Sequence, residues 1–567
     1  MNGESIYKYI NRMAIENPGL PYTFQDPYIA GRIDINYVLW GDDLPFLHKE
    51  RLALELVDYV ADCIDEQIDI EELGFLLQER PVLWYMGNFN SRMKTYISEG
   101  LIDAKKLYIL GMELATQSEE EELVKLGMLF LGYFENDVTR QILKTLGLHS
   151  AFTLYALEAA RNFTNYNKFI YELAQNTLGF GKLAALYVLE PVHQRQKEWL
   201  FENGMTYGVV PDITAIICLE KVEMAVFYQN LTMTEENFSR LSRLIAYGFE
   251  NNDIKEFSQG LTLVEKYLKA APRHAKTFID LASIAILEDN MIPYWMLEYT
   301  DIEADSEDWT LDRQELVIDI CNGLIGHSKW DNIVFYELSQ PQEETSLIVS
   351  VLERLELLPT FETFIPLLER DLFDMDLLEY LLIENAEYYL EDVFYYITHM
   401  LLDTEVFEGP QAIFHDDLTF EHRPDIWVLY LLKEMVEENI NQEEFFVDCL
   451  SARFSDVRIE AIHALRQIRR SWSNQVIPAL EHAYEAEPVV GIKKQLWTLI
   501  NWQEGEEGKE QGYLDIPEPK VIPWAFDIVI LDTSIAGTLY RDLTLVEDQV
   551  EAGDILFLLR EPTNEHD

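Results

Sequence analysis

The side chains able to bind metals or move protons are thinly spread along this chain. The densest set is His415, Asp416, Asp417, Glu421 and His422, two imidazoles and three carboxylates within one short stretch. Hydrolytic zinc sites space two histidines four apart around a glutamate on one helix face, and this run lacks that spacing, so it reads as a helix connection. Gly179-Phe180-Gly181-Lys182 has the glycines and lysine of a phosphate loop but neither its length nor the following Ser or Thr. A helix-to-helix turn is the expectation there. No nucleophile can be paired with a base from local spacing, so the expectation is a protein that is not an enzyme, with no cofactor and no bound metal. What remains is cationic. Arg458, Arg466, Arg469 and Arg470 follow one flank of a helical stretch, and Lys493 and Lys494 come one repeat later. Such an island suits a partner or a phosphate, with Arg466, Arg469, Arg470, Lys493 and Lys494 as the candidate contacts. Ile459 and Ile462 on the same flank give it an alternative role in packing.

The bulk composition narrows the field further. The chain has 567 residues, 48% of them hydrophobic, and 43 Lys and Arg against 101 Asp and Glu, a formal charge of −58. That charge opposes a nucleic-acid polyanion or an anionic membrane over most of the surface. A 12% aromatic content and long apolar periodic segments separate it from disordered acidic chains. Cys63, Cys218, Cys321 and Cys449 are far apart in apolar helical patterns and read as buried free thiols of a reducing compartment. The opening MNGESIYKYINRM has no apolar core of signal-peptide length, and no later run approaches a membrane span. These features place the protein in the cytoplasm.

The elements that would position any site are helices. From Phe454 to Trp502, Val457, Ala461, Ala464, Leu465 and Ile468 make one helical face, and Val476, Ile477, Leu480, Ala483 and Tyr484 make another. Ser455 or Asp456 is expected to cap the first helix and Ser473 or Asn474 the second. The pattern restarts at Pro488, Val489 and Ile492. This stretch resembles the HEAT repeat, with its Asp-x-Val-Arg start and Ile-Pro-x-Leu second helix; Phe364-Ile365-Pro366-Leu367 echoes the latter. The resemblance implies an α-solenoid that acts as a scaffold. Elsewhere Ser118 with Glu121 suggests a capping box, and Gly147, Asn165 and Gly179 are expected to end helices, although no fixed period emerges from Asp137 to Pro191. The fold class expected is mainly α, a HEAT-like α-solenoid with a short C-terminal β-rich segment. Residues 1–45, broken by Pro18, Pro21, Pro27 and Pro45, should form a short helix and an extended cap, and residues 46–502 the solenoid. Residues 503–523 are a charged Gly/Pro linker, and in 524–567 the apolar period falls to two.

That last segment carries three spaced blocks in order. They are Gly537 with Tyr540, then Gly553, Asp554, Leu556 and Leu558, then Arg560, Glu561, Pro562, Asn564 and Asp567. The segment is similar to the opening half of a HIRAN domain, a small β module that occurs alone in bacteria and on DNA-repair helicases, where it holds the 3′ end of single-stranded DNA. The resemblance implies that Tyr540 stacks on the terminal base and that Asn564, His566 and Asp567 line the end pocket. Leu539 and His566 stand where DNA-binding members carry Arg and Tyr. Since the chain stops at Asp567, a shortened or remnant module is expected.

The leading expectation is therefore a non-enzymatic bacterial scaffold or adaptor. Its helical surface would take an unidentified protein partner, and its C-terminal module would contact 3′ single-stranded ends. The alternatives are a pure protein-interaction solenoid with a vestigial module, and an accessory subunit of a DNA-repair nuclease or helicase.

Overall fold

A computed structural model describes residues 4–18, 30–41, 44–65, 68–291, 308–401, 404–413 and 423–501, with the backbone of four short strands between 527 and 560. The chain divides into two compact units. The larger comprises Met1–Asp42 and Ala53–Ile500, and the smaller Asp43–Leu52 and Asn501–Asp567. In the smaller unit Asp527–Thr533 runs antiparallel to Asp554–Arg560, and Gly537–Thr538 pairs with Gln549–Val550.

The protein is mainly helical, and α-helices account for nearly all the regular structure of the larger unit. It opens with α1 (Ile6–Glu16), α2 (Arg32–Trp40), α3 (Phe46–Ile64), which begins in the smaller unit, α4 (Ile70–Glu79), α5 (Met86–Ser98) and α6 (Ala104–Gln117). Then come α7 (Glu121–Leu131), α8 (Asp137–Leu146), α9 (Ser150–Ala160), α10 (Tyr166–Asn176), α11 (Gly179–Val188) and α12 (Gln194–Asn203). They are followed by α13 (Pro211–Val222), α14 (Met224–Asn230), α15 (Glu235–Phe249), α16 (Gly260–His274) and α17 (Phe278–Asp289).

Two kinds of helix alternate here. α8 is amphipathic, burying Ile142, Leu143 and Leu146 at helical spacing, with the Asn136 side chain accepting the Thr139 N–H at 2.9 Å and Gly147 closing its end onto the Leu143 carbonyl. By contrast α7, α9 and α17 are apolar nearly all round and are buried on nearly every side. Each of these buried helices packs on its counterpart one hairpin later, α7 on α9, α9 on α11, α11 on α13, α13 on α15 and α15 on α17. Small residues let them approach. A Cβ added at Gly181 of α11 would lie 2.5 Å from Thr153 Oγ1 of α9, and one at Gly127 of α7 would lie 2.6 Å from the Ala115 nitrogen of α6.

The row continues through the remaining helices, α18 (Leu311–Ile325), α19 (Lys329–Ser339), α20 (Thr345–Arg354), α21 (Ile365–Arg370), α22 (Met375–Leu378) and α23 (Ala386–Met400). Last come α24 (Pro424–Glu437), α25 (Glu443–Asp448), α26 (Ser455–Gln467), α27 (Val476–Ala486) and α28 (Val490–Ile500). Here α17 packs on α20 and α20 on α22; the π-helical turn Glu379–Glu384 carries the row to α24, which packs on α26, and α26 on α28. This is a helical repeat-like architecture in which packing runs mainly between helices close in sequence.

Several details differ from the pattern-based expectations. The N-terminal segment holds a second helix, and α1 and α2 lie along the row, α1 on α6 and α8 and α2 on α9 and α11. Ser5 Oγ donates to the Thr116 carbonyl at 2.7 Å and the Ile6 N–H to the Ser118 carbonyl at 3.1 Å, which anchors α1. Ser118 does not cap α7: its hydroxyl takes the Glu120 N–H at 3.0 Å and the helix starts behind Glu120. Ser455 is the first residue of α26, and Gln475 precedes α27, so neither expected cap holds. Asn165 and Gly179 sit at helix starts with φ of 59° and 57°, because a left-handed residue can redirect the chain into a helix as well as out of one. Cys218, Cys321 and Cys449 are buried free thiols as expected, but Cys63 is only half-buried. Among the described residues no helix is long and apolar enough to cross a membrane.

Candidate functional site

A cleft of about 1120 Å³ opens where the loop before α13, the end of α15 and the turns around α20 and α22 meet. Its first wall is Met205 to Asp212. This loop is pinned from below by Lys182, whose buried ammonium donates to the Asn203 carbonyl at 2.6 Å and to that of Thr206. Burial pulls that amine down to about 8. The Gly179 N–H also holds the Tyr207 carbonyl at 2.8 Å, and Thr214 Oγ1 donates to the Val209 carbonyl at 2.8 Å. So tied, Val210 adopts φ +51° immediately before Pro211, a conformation costly for a β-branched residue that only the surrounding bonds sustain. The motif Gly179 to Lys182 is thus the start of a packed helix and a clamp on the neighbouring loop.

The opposite wall is built on one carboxylate. Glu343 accepts both arms of Arg243 at 2.6 Å each and the Tyr247 hydroxyl at 3.1 Å. Its own carbonyl takes Arg370 at 2.6 Å, and the second arm of Arg370 reaches Thr345 Oγ1 at 2.7 Å. Thr345 Oγ1 in turn donates to Asp374 Oδ2 at 2.7 Å, and Asp374 Oδ1 caps α22 through the Leu377 N–H at 3.2 Å. A bidentate pair of this kind fixes geometry as well as energy. Burial and the Glu343 carboxylate push the Tyr247 phenol well above its ordinary range, so it stays a neutral donor.

Both arginines of the cleft are therefore committed to its own wall, while its lining also holds Asp212, Glu250, Glu344, Asp371 and Asp376. Glu250 records the imbalance. Burial raises its carboxyl pKa, Asp376, Asp212 and Glu344 raise it further, and a hydrogen bond to Ser346 opposes them. The excess of carboxylates attracts cations. Among the described residues no group of three or more His, Cys, Asp or Glu side chains is placed to hold a metal ion.

The residues singled out from the sequence fall elsewhere. Tyr540, Asn564, His566 and Asp567 lie outside the described residues, as do the run from His415 to His422 and the linker 503–523. In the basic stretch Arg458 is fully buried on Glu487, at 2.7 and 2.9 Å, and is lost to any surface. Arg466, Arg470 and Lys494 are exposed. Arg469 and Lys493 are half-buried, over the rings of Trp472 at 5.6 Å and Tyr484 at 5.0 Å. The cleft itself went unseen, since Arg243 and Glu343 are a hundred residues apart and neither carries a local pattern.

Comparison of the chain with protein-family models, with curated proteins and with solved structures finds no match.

Proposed function

We propose that the chain is a non-enzymatic scaffold of the HEAT-like solenoid class, whose acidic cleft holds a Lys- or Arg-rich segment of a protein partner. The observation that carries this reading is the row in which buried helices stack one hairpin apart, α7 on α9, α9 on α11, α11 on α13, α13 on α15 and α15 on α17, while the walls of a peptide-sized cleft come from distant turns. Charge complementarity gives the partner its sign, because the cleft cations are spent internally and its carboxylates are in excess. The test is fluorescence anisotropy of a labelled Lys/Arg-rich peptide against the full chain. Binding should weaken steeply with salt, and the double variant Asp212→Lys, Asp376→Lys should bind at least tenfold more weakly than the parent. Equal binding by parent and variant overturns the assignment.

The C-terminal segment is proposed as a HIRAN-like, β-rich module that contacts 3′ single-stranded ends through Tyr540, Asn564, His566 and Asp567, on the strength of its three sequence blocks. A chain of charge −58 should ignore duplex DNA at physiological salt, whereas end binding leans on stacking, about 1–3 kcal/mol per base. Anisotropy with single strands bearing a 3′-hydroxyl or a 3′-phosphate separates the cases. A preference for the free hydroxyl that Tyr540→Ala abolishes supports the module; no preference leaves the protein scaffold alone.

A further inference from the structure

Helix α2 is seated on the row in an unusual way. It buries only Asp34 and Ile35, while Ile33 and Trp40 are 79% and 74% exposed. An amphipathic helix would bury its apolar residues and expose its acid, and here the acid goes in. Asp34 Oδ1 accepts the Tyr155 hydroxyl of α9 at 3.0 Å, and its Oδ2 lies 3.8 Å from the Lys125 ammonium of α7. Lys125 also meets Glu122 Oε1 at 2.7 Å and stands 5.2 Å over the Tyr155 ring. One cation thus serves a buried and a half-buried carboxylate, and the Oε2 atom of Glu122 is buried with no hydrogen-bond partner among the described residues. Burial raises the Asp34 pKa above its ordinary value although Lys125 and Tyr155 favour the charged form.

The physics of this seat favours reversible docking. A nine-residue helix has little stability alone in water, so α2 persists only while docked. Its one fully buried apolar residue is Ile35, with Tyr37, Val38 and Leu39 half-buried beside it, and a buried ion pair returns little beyond its desolvation cost. One end is fitted closely. Gly31 caps the helix at φ +78°, and a Cβ there would lie 2.5 Å from the Ser150 carbonyl oxygen of α9. A further tie is the Tyr37 hydroxyl on the Trp84 carbonyl at 2.7 Å. The helices beneath, α9 and α11, are buried on nearly every side and belong to the continuous row. Their cooperative unit outlasts a strap held this lightly.

We propose that α2 is a displaceable strap, latched by Asp34 on Lys125 and Tyr155, and that its seat on α9 and α11 accepts in exchange a partner helix of the same chemistry. That helix presents one carboxylate next to a β-branched aliphatic residue and enters through a glycine. The occupant already in place defines what the seat recognises, and this proposal does not depend on the acidic cleft or on DNA.

Hydrogen exchange and peptide binding on the full chain test it together. Asp34→Lys, which sets two cations against each other, should speed exchange across residues 32–40 at least tenfold while α9 and α11 remain protected. Gly31→Ala should do the same through steric contact, without a change of charge. A labelled peptide of residues 30–41 should bind the Asp34→Lys chain at least tenfold more tightly than the parent, and Lys125→Met in that background should abolish the binding. The latch is wrong if neither variant speeds exchange at residues 32–40. The exchangeable seat is wrong if the strap opens and the peptide binds variant and parent alike, or binds neither.

Discussion

Glu487→Ala should destabilise the C-terminal helices by about 3–5 kcal/mol, the usual result of leaving one member of a buried ion pair without its partner. Arg458 and Glu487 have side chains 1% and 2% exposed. The guanidinium is saturated. Besides Glu487 it donates to the carbonyls of Ala452 at 2.8 Å, Arg453 at 2.9 Å and Gln411 at 2.9 Å. Glu487 Oε1 also accepts the Val489 N–H at 2.9 Å, just before α28 begins. One pair therefore joins the approach to α26, the stretch at Gln411 and the turn between α27 and α28. If stability is summed over neighbours, hydrogen exchange in the variant should rise through residues 424–500 and stay unchanged from α7 to α17. A uniform rise would mean that the row unfolds as one block. Replacing both residues by Met should recover most of the loss, since an apolar pair of similar volume avoids the uncompensated charge.

Acid should find a second weak point at His149. Its imbalance is of hydration: burial holds the imidazole pKa down at about 4, and its Nδ1 accepts the Ala151 N–H at 3.3 Å as the cap of α9. A protonated ring cannot accept that bond. The unfolded chain takes up the proton near pH 6.5, so the contribution to stability is complete above that pH and is lost as pH falls through about 4. At about 1.4 kcal/mol per pKa unit the loss can reach ~3 kcal/mol. His149→Asn keeps a capping acceptor and does not titrate, so its urea midpoint should fall less than the parent's between pH 7 and pH 4.5. Parallel losses in the two proteins, or an imidazole titrating near 6.5 by NMR, would remove His149 from the acid response.

Much of the helical content was legible because it is written in neighbouring residues. Thr234 caps α15 through the Asn237 N–H at 3.1 Å, a local bond of the kind a threonine ahead of a helix makes. Gly147 ends α8, and Pro366 stands in the first turn of α21. Such signals act within one helical turn. Even locally they can mislead, as Ser118, Asn165 and Gly179 did, since the same residue types serve at both ends of a helix and in the turns between.

Composition and periodicity alone determined that this is an acidic, mainly helical chain with apolar segments at helical spacing, because charge and pattern are sums over the residues themselves. Which helices lie inside the row was decided by packing. α9 is apolar nearly all round, and its neighbours α2, α7, α8, α10 and α11 explain why nearly every side of it is covered. The fate of charged residues was also a tertiary matter. Arg458 looked like part of a basic surface until Glu487, 29 residues on, took it into the interior. Asp34 sits in a helix whose sequence hides the fact that its acid is the buried side, and the cleft joins Arg243 to Glu343 across a hundred residues. A charge goes inside only where a partner is delivered to it, and that delivery depends on long-range folding, which no short stretch of sequence encodes.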